Sequence, residues 1–360
     1  MRYLVAVLLG VVGALLVGAP AGAHSADVPV ASDYRCVVTG IDPPVPGLTV
    51  RAVTAGTQLE LVNHTGRSIE VLGYGGEPYL TVKPDGVYQN VNSPATYLNE
   101  TAAGGVAPPA TASPAAVPAW QKLSSTPAVL WHDHRAHWMS VTPPPDVATD
   151  PASVHRVSNW SVPLRDGVRR FAVTGTLDWV PRPAPGTWWA GALLLGAAVA
   201  GLGLPATARA LRLAGLVATG TGLAALAYAV GAAADSGPLG ASGAVRTLVT
   251  TQPWTLLCGA AAVAAGAYAL RRRPAADLAL GLAGACLALF AGAANGGVFA
   301  HAIAPVPLSG GVARALVLVC ICGGAGLAGV TALRTHRAAP VTVVRLPAAS
   351  TLTESALPRH

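Results

Sequence analysis

From residue 188 onward the chain carries five long apolar segments, at roughly 188–204, 210–230, 254–270, 275–294 and 312–333. Each approaches the ~20 residues that a helix needs to cross a bilayer. In hydrocarbon every backbone N–H and C=O must find a partner within the segment, so these stretches must be helices. Trp188 and Trp189 place an aromatic anchor at the start of the first. Hydrophobic residues make up 52% of the chain, above the ~45–50% of soluble domains. The excess lies in the first 20 residues and after 188, leaving a polar middle, and two folding units follow.

The loops set the expected topology. Arg209 and Arg212 follow the first span, Arg271 to Arg273 the third, and Arg334 with Arg337 the fifth, while the loops after spans two and four carry only Arg246 and His301. The positive-inside rule puts the arginine-rich side in the cytoplasm. The polar middle and the loops 231–253 and 295–311 then face outward, and 335–360 is a disordered cytoplasmic tail. Residues 1–23 read as a secretory signal: Arg2, an apolar core over 4–18, then Ala21-Gly22-Ala23. Cleavage there exposes His24, whose free amine and imidazole can chelate copper or simply form a frayed end. The net charge of +7 lies largely beside the spans, so it points to membrane topology and not to nucleic acid. Within the spans ionisable groups are confined to Arg212, Asp277 and Arg314, near the ends, which argues against an ion pathway.

The exported region, 24–185, is rich in Val, Thr, Pro and Gly. Short runs at 49–53, 58–63, 68–73, 129–134 and 167–179 read as strands. Asn63-His64-Thr65-Gly66-Arg67 and Arg165-Asp166-Gly167 are hairpin-turn signals. The expected fold is an all-β extracytoplasmic sandwich, cupredoxin-like or immunoglobulin-like in architecture, followed by an all-α bundle of five transmembrane helices over 186–334. Residues 102–118 form an Ala/Gly/Pro loop between the halves of the sandwich. Cys36 has no second exported cysteine to pair with; it is a buried small residue, one half of an intermolecular disulfide, or a soft copper ligand. Cys258, Cys286, Cys320 and Cys322 lie in spans, where close packing explains them as well as a thiolate site does.

The densest chemistry is Trp131-His132-Asp133-His134-Arg135-Ala136-His137-Trp138-Met139, which holds three of the nine histidines. It allows two readings. His132, His134 and His137, with Met139 and even His24, can surround a copper or zinc ion. Alternatively Asp133, Arg135 and the histidines form a polar network that ties strand to loop. On a strand, His132 and His134 would share one face, and Asp133, Arg135 and His137 the other. The stretch resembles the carboxy-terminal copper motif of multicopper oxidases, His-Cys-His followed by His and Met. Asp133 stands where that motif has its thiolate, which speaks against a blue-copper site.

Segments 75–80, 84–90 and 93–99 place acids and tyrosines among turn residues. Carbohydrate and peptide sites use such residues, and so do ordinary turns; Glu77 and Asp85 are candidate paired acids. Gly-x-Ser-x-Gly, a phosphate loop and His-Glu-x-x-His are all missing from the sequence, so an enzyme is not expected. Gly-Glu-Pro-Tyr-Leu at 76–80, Ser-Pro-Ala-Thr-Tyr-Leu-Asn at 93–99, the 131–139 stretch and Gly-Thr-Leu-Asp-Trp-Val-Pro at 175–181 together resemble a family of multi-pass membrane proteins of high-GC Gram-positive bacteria. That resemblance implies the architecture and no activity. Two functions remain open: a membrane-anchored binding protein for an envelope partner or ligand, and an extracytoplasmic copper or zinc handler.

Overall fold

A computed structural model describes residues 31–338, apart from 102, 103, 105, 206 and 237–240. The expected signal segment with His24 and most of the tail lie outside the described residues. The ten strands are β1 (Tyr34–Asp42), β2 (Leu48–Val53), β3 (Gln58–Asn63), β4 (Ile69–Leu72), β5 (Pro78–Lys83), β6 (Gly86–Asn90), β7 (Trp120–Ser124), β8 (Ala128–Trp131), β9 (His155–Asp166) and β10 (Arg169–Trp179). They form two antiparallel sheets, ordered β1-β10-β9-β4-β5-β6-β7 and β2-β3-β8. The sheets enclose one core, in which Leu59, Leu61 and Trp131 from the small sheet meet Val71, Val82, Trp160 and Val173 from the large one.

The alternation on β10 explains its place. Phe171, Val173, Leu177 and Trp179 point inward and are buried, as period-2 patterning requires. Gly175 holds the remaining inward position because the Trp160 ring covers it; a Cβ there would lie 2.0 Å from Trp160 Cζ2. The Arg165-Asp166-Gly167 signal is a hairpin, with Arg169 registered on Asp166. The Asn63–Arg67 signal is not. β3 pairs with β2 and β8 while β4 pairs with β5 and β9, so this corner carries the chain from one sheet to the other. Asn63 holds it by donating Nδ2 to the carbonyls of Arg67 (2.7 Å) and Val82 (2.8 Å). The segments expected to be turns around 78–90 are in fact the β5–β6 hairpin.

Two short helices, α1 (Pro94–Leu98) and α2 (Pro145–Thr149), interrupt the sandwich. The five apolar helices run Pro185–Gly203, Ala208–Asp235, Pro253–Leu270, Ala276–Phe299 and Gly310–Arg337, extending the expected spans by a few residues at several ends. An amphipathic helix, Ala241–Thr251, lies in the loop after the second span, where no helix was expected. Small residues bring the spans to backbone contact: a Cβ on Gly222 would meet the Gly259 carbonyl oxygen at 2.6 Å, the close approach typical of membrane helices.

The sandwich is seated on the loops that follow the second and fourth spans. Ser32 and Ile303 exchange backbone hydrogen bonds of 3.0 and 2.7 Å. Asp33, 4% exposed, accepts from Arg182 Nε at 2.7 Å, His301 Nδ1 at 3.0 Å and the Ala302 amide at 3.0 Å. Asp235 accepts from the Ala55 amide at 2.8 Å. At the opposite end of the bundle Arg334 pairs with Asp277 at 2.7 Å and Arg337 bonds the Leu204 carbonyl. The arginine clusters and the β-domain therefore occupy opposite ends of the helices.

Because the sandwich core is closed without any residue of the spans, a secreted fragment of residues 31–184 should unfold in one cooperative transition. Gly175→Leu in that fragment should abolish it by overpacking Trp160. Circular dichroism during a urea titration checks both, and a fragment that stayed molten without denaturant would contradict the expectation.

Candidate functional site

Strand β8 ends at Trp131, and Asp133 is the reason. Its side chain is 0% exposed, and a carboxylate so buried needs charge and hydrogen-bond partners. Arg135 supplies both, with Nε to Oδ1 and Nη2 to Oδ2 each at 2.7 Å. Two further donors complete the set, the Trp131 indole at 3.1 Å and the Arg135 amide at 3.2 Å. Closing a forked pair across two residues bends the chain into the 3-10 turn His134–Ala136. Arg135 also donates to the Leu72 carbonyl at 3.1 Å and lies 4.9 Å above the Tyr74 ring.

The turn sends the three imidazoles in different directions. His132 Nδ1 donates to the Thr57 carbonyl at 2.7 Å, and its Nε2 lies 3.3 Å from the Gln58 amide nitrogen. His134 Nε2 donates to the Thr101 carbonyl at 3.2 Å, and the His134 imidazole and Met139 both border Gly104. His137 returns toward His132, ring centroids 6.4 Å apart, and its Nε2 is buried without a hydrogen-bond partner among the described residues. The shared face expected for His132 and His134 is thus replaced by a His132/His137 pairing, because the strand stops before either residue. Among the described residues no group of three His, Cys, Asp or Glu side chains is placed to hold a metal ion. As arranged, the imidazoles do not fit a common ion. Cys36 is a free, buried thiol on β1; burial pushes it up to about 12, far from the thiolate a metal or disulfide partner needs.

The network continues from Tyr74. Its hydroxyl donates to Asn99 Oδ1 and accepts from the His134 amide at 3.0 Å, and burial raises the phenol to about 12. Asn99 ends α1, whose N-cap is Ser93. Ser93 donates to Glu77 at 2.6 Å, and Glu77 also accepts the Gly75 amide at 2.9 Å. Glu77 is therefore a buried strut of the 73–77 turn. Asp85 is bonded to Tyr88 at 2.6 Å instead, so the two acids serve separate structures.

These struts frame a polar cavity of about 350 Å³ in the sandwich wall, lined by residues of β3, β5, β6, α1 and β8, among them Gln58, Tyr79, Gln89, Asn99, Trp131 and His132. Three of the motifs singled out in the sequence meet here. Tyr79 comes from 76–80, Thr96, Tyr97 and Asn99 from 93–99, and Trp131 and His132 from 131–139. Asn99, 4% exposed, keeps its Nδ2 without a hydrogen-bond partner among the described residues. Beside it stands the Tyr79 phenol, which burial holds well above its ordinary range. In the sequence Gln58 reads only as the start of a strand and Gln89 only as part of the turn-rich segment 84–90, because isolated glutamines carry no motif; the alternation within 78–83 and 86–90 is the available signal. A larger groove of about 630 Å³ runs between the third and fourth spans, lined by Trp254, Leu257, Phe290 and similar residues. Its lining offers almost nothing polar to orient a ligand, so the smaller polar cavity is the better candidate.

No family model matches this chain, and neither a curated protein nor a solved structure does.

Arg135→Ala should cost about 3–5 kcal/mol, since it leaves Asp133 buried and unpaired. Equilibrium unfolding with chelator and with added copper or zinc should give the same loss, whereas a loss that metal reverses would contradict a structural role. His137 gives a pH signature. Burial, helped by the neighbouring His132 imidazole, lowers its pKa to about 4. The unfolded chain, with a His pKa near ~6.5, then binds more protons between pH 6.5 and 4, so stability falls as pH drops through that window and levels off below it. The loss amounts to about 3 kcal/mol. Thermal unfolding at pH 7 and pH 4.5 should show it in the wild type and largely lose it in His137→Asn.

Proposed function

We propose that this chain is a membrane-anchored extracytoplasmic binding protein whose β-domain takes a small ligand in the cavity at Tyr79, Gln89 and Asn99, with the helical bundle as its platform. The observation that carries the reading is the convergence of three sequence motifs on one polar cavity. Beside it lies Asn99 Nδ2, an amide donor buried with no hydrogen-bond partner among the described residues, an arrangement that costs about 1–3 kcal/mol. An outward orientation follows from the arginine clusters at the far end of the bundle, through the positive-inside rule.

A second reading, a copper or zinc handler using His132, His134 and His137, draws on one observation. The Nδ1 hydrogen bond of His132 to a carbonyl is the orientation that metal-ligating imidazoles commonly adopt, and the His137 ring lies 6.4 Å away with its Nε2 unpaired among the described residues. It requires the turn at 134–136 to rearrange before His134 can join. Metal retained stoichiometrically after dialysis by wild type, and lost in His132→Ala, would favour it over the first reading.

Orientation is tested with Val168→Cys at the fully exposed β9–β10 hairpin tip. A membrane-impermeant maleimide should label it in intact cells, and labelling only after lysis would reverse the topology. Binding is tested by a thermal-shift screen of small polar compounds. A ligand at a hundredfold excess over its dissociation constant should add about 2.7 kcal/mol of stability. Leu123→Trp, at the half-exposed rim, should remove that gain without lowering the unliganded melting temperature.

A further inference from the structure

The chemistry of the cavity wall narrows the ligand class. Among the described residues its lining holds neither Lys nor Arg, and its acidic member, Glu100, is exposed at the rim. Its imidazole, His132, is already engaged, Nδ1 with the Thr57 carbonyl and Nε2 beside the Gln58 amide. A phosphate or carboxylate ligand would be desolvated there without a fixed countercharge, which is unfavourable. Thr96 and Tyr97 donate their hydroxyl protons to the Asn90 and Val91 carbonyls, and the remaining side chains are of two kinds. Gln58, Gln89 and Asn99 present amides that both donate and accept, and Tyr79 adds a hydroxyl that burial keeps protonated. Leu80, Leu123, Val129, Leu130 and Trp131 supply apolar surface.

An amide-edged wall beside an apolar one matches a molecule that is itself two-sided, with hydroxyls around its rim and C–H groups across its face. A pyranose ring has that form. The volume of about 350 Å³ is near the bottom of the ~300–1,000 Å³ range of ligand pockets, so the cavity suits a single ring and not a chain of them. Resting on the binding-protein reading above, we infer that the cavity recognises one neutral sugar ring, free or at the end of a glycan, with Gln89 bonding its hydroxyls and Trp131 and Leu123 lining its face.

The test uses the full chain in nanodiscs or in a detergent without a sugar headgroup, since a maltoside would compete. Glucose, galactose, mannose and N-acetylglucosamine are titrated by saturation-transfer NMR, beside an alkylammonium salt, acetate and inorganic phosphate. At least one neutral sugar should bind saturably, and Gln89→Leu should weaken it tenfold or more. Leu123→Trp, which blocks the rim and does not touch the buried struts, should abolish it. If the alkylammonium or an anion binds in a manner lost with Leu123→Trp while no sugar does, the sugar inference falls and the binding-protein reading stands. If sugars bind equally well to both variants, the site lies elsewhere and the inference falls. If no probe in the panel binds, the sugar inference falls, and the thermal-shift screen then decides the broader reading by itself.

Discussion

The position of one buried carboxylate governs the region of the β-domain around the polar cavity. Asp133 has no contact with solvent, and a charge in that place is tolerable only with Arg135 folded back onto it. A buried pair of this kind offers little net stability over apolar packing; what it contributes is geometry. Because the partners are two residues apart, satisfying them ends β8, forms the turn and anchors the guanidinium on Leu72 and Tyr74. Tyr74 in turn fixes Asn99, a residue of the cavity wall, through Oδ1. The polar cavity is in this sense a consequence of where Asp133 was buried.

A second constraint links the cavity to the membrane. Thr54 and Ala55 both adopt left-handed backbone angles, φ 57° and 56°. A non-glycine residue pays roughly 1–3 kcal/mol for such a conformation and keeps it only when the surroundings impose it. Here Asp235, at the end of the second span, accepts the Ala55 amide, while Thr57 bonds back to Thr54 and Thr54 Oγ1 donates to Gln58. The same five residues therefore touch the bundle at one end and line the cavity at the other, where Thr57 and Gln58 also hold His132. The spans themselves are packed through glycine contacts such as Gly222 on Gly259.

The architecture was legible because bilayer thickness and period-2 alternation are both local signals. The five spans and the strands β2, β3, β4 and β10 could be read within a few residues of their ends. What escaped was non-local or masked by composition. Pro78 and Gly86 begin strands β5 and β6, and because Gly and Pro ordinarily mark turns, the hairpin between them read as loop. Asn63 looked like a hairpin residue because Asx side chains stabilise many kinds of corner, and only the pairing of β4 with β9 shows that this one changes sheets. The helix Ala241–Thr251 lay in a loop whose length had been assigned to a connection.

The histidine cluster is instructive for the same reason. Three imidazoles within six residues suggest convergence only if the chain keeps one conformation across them, and the Asp133–Arg135 pair ensures that it does not. Spacing arguments assume a strand or a helix; a 3-10 turn of three residues belongs to neither period. Two residues of the stretch, Trp131 and His132, line the cavity. Their partners come from segments 76–80 and 93–99, separated from them by more than thirty residues, and it is the cross-sheet contacts of the sandwich, not the density of the motif, that assemble the cavity wall.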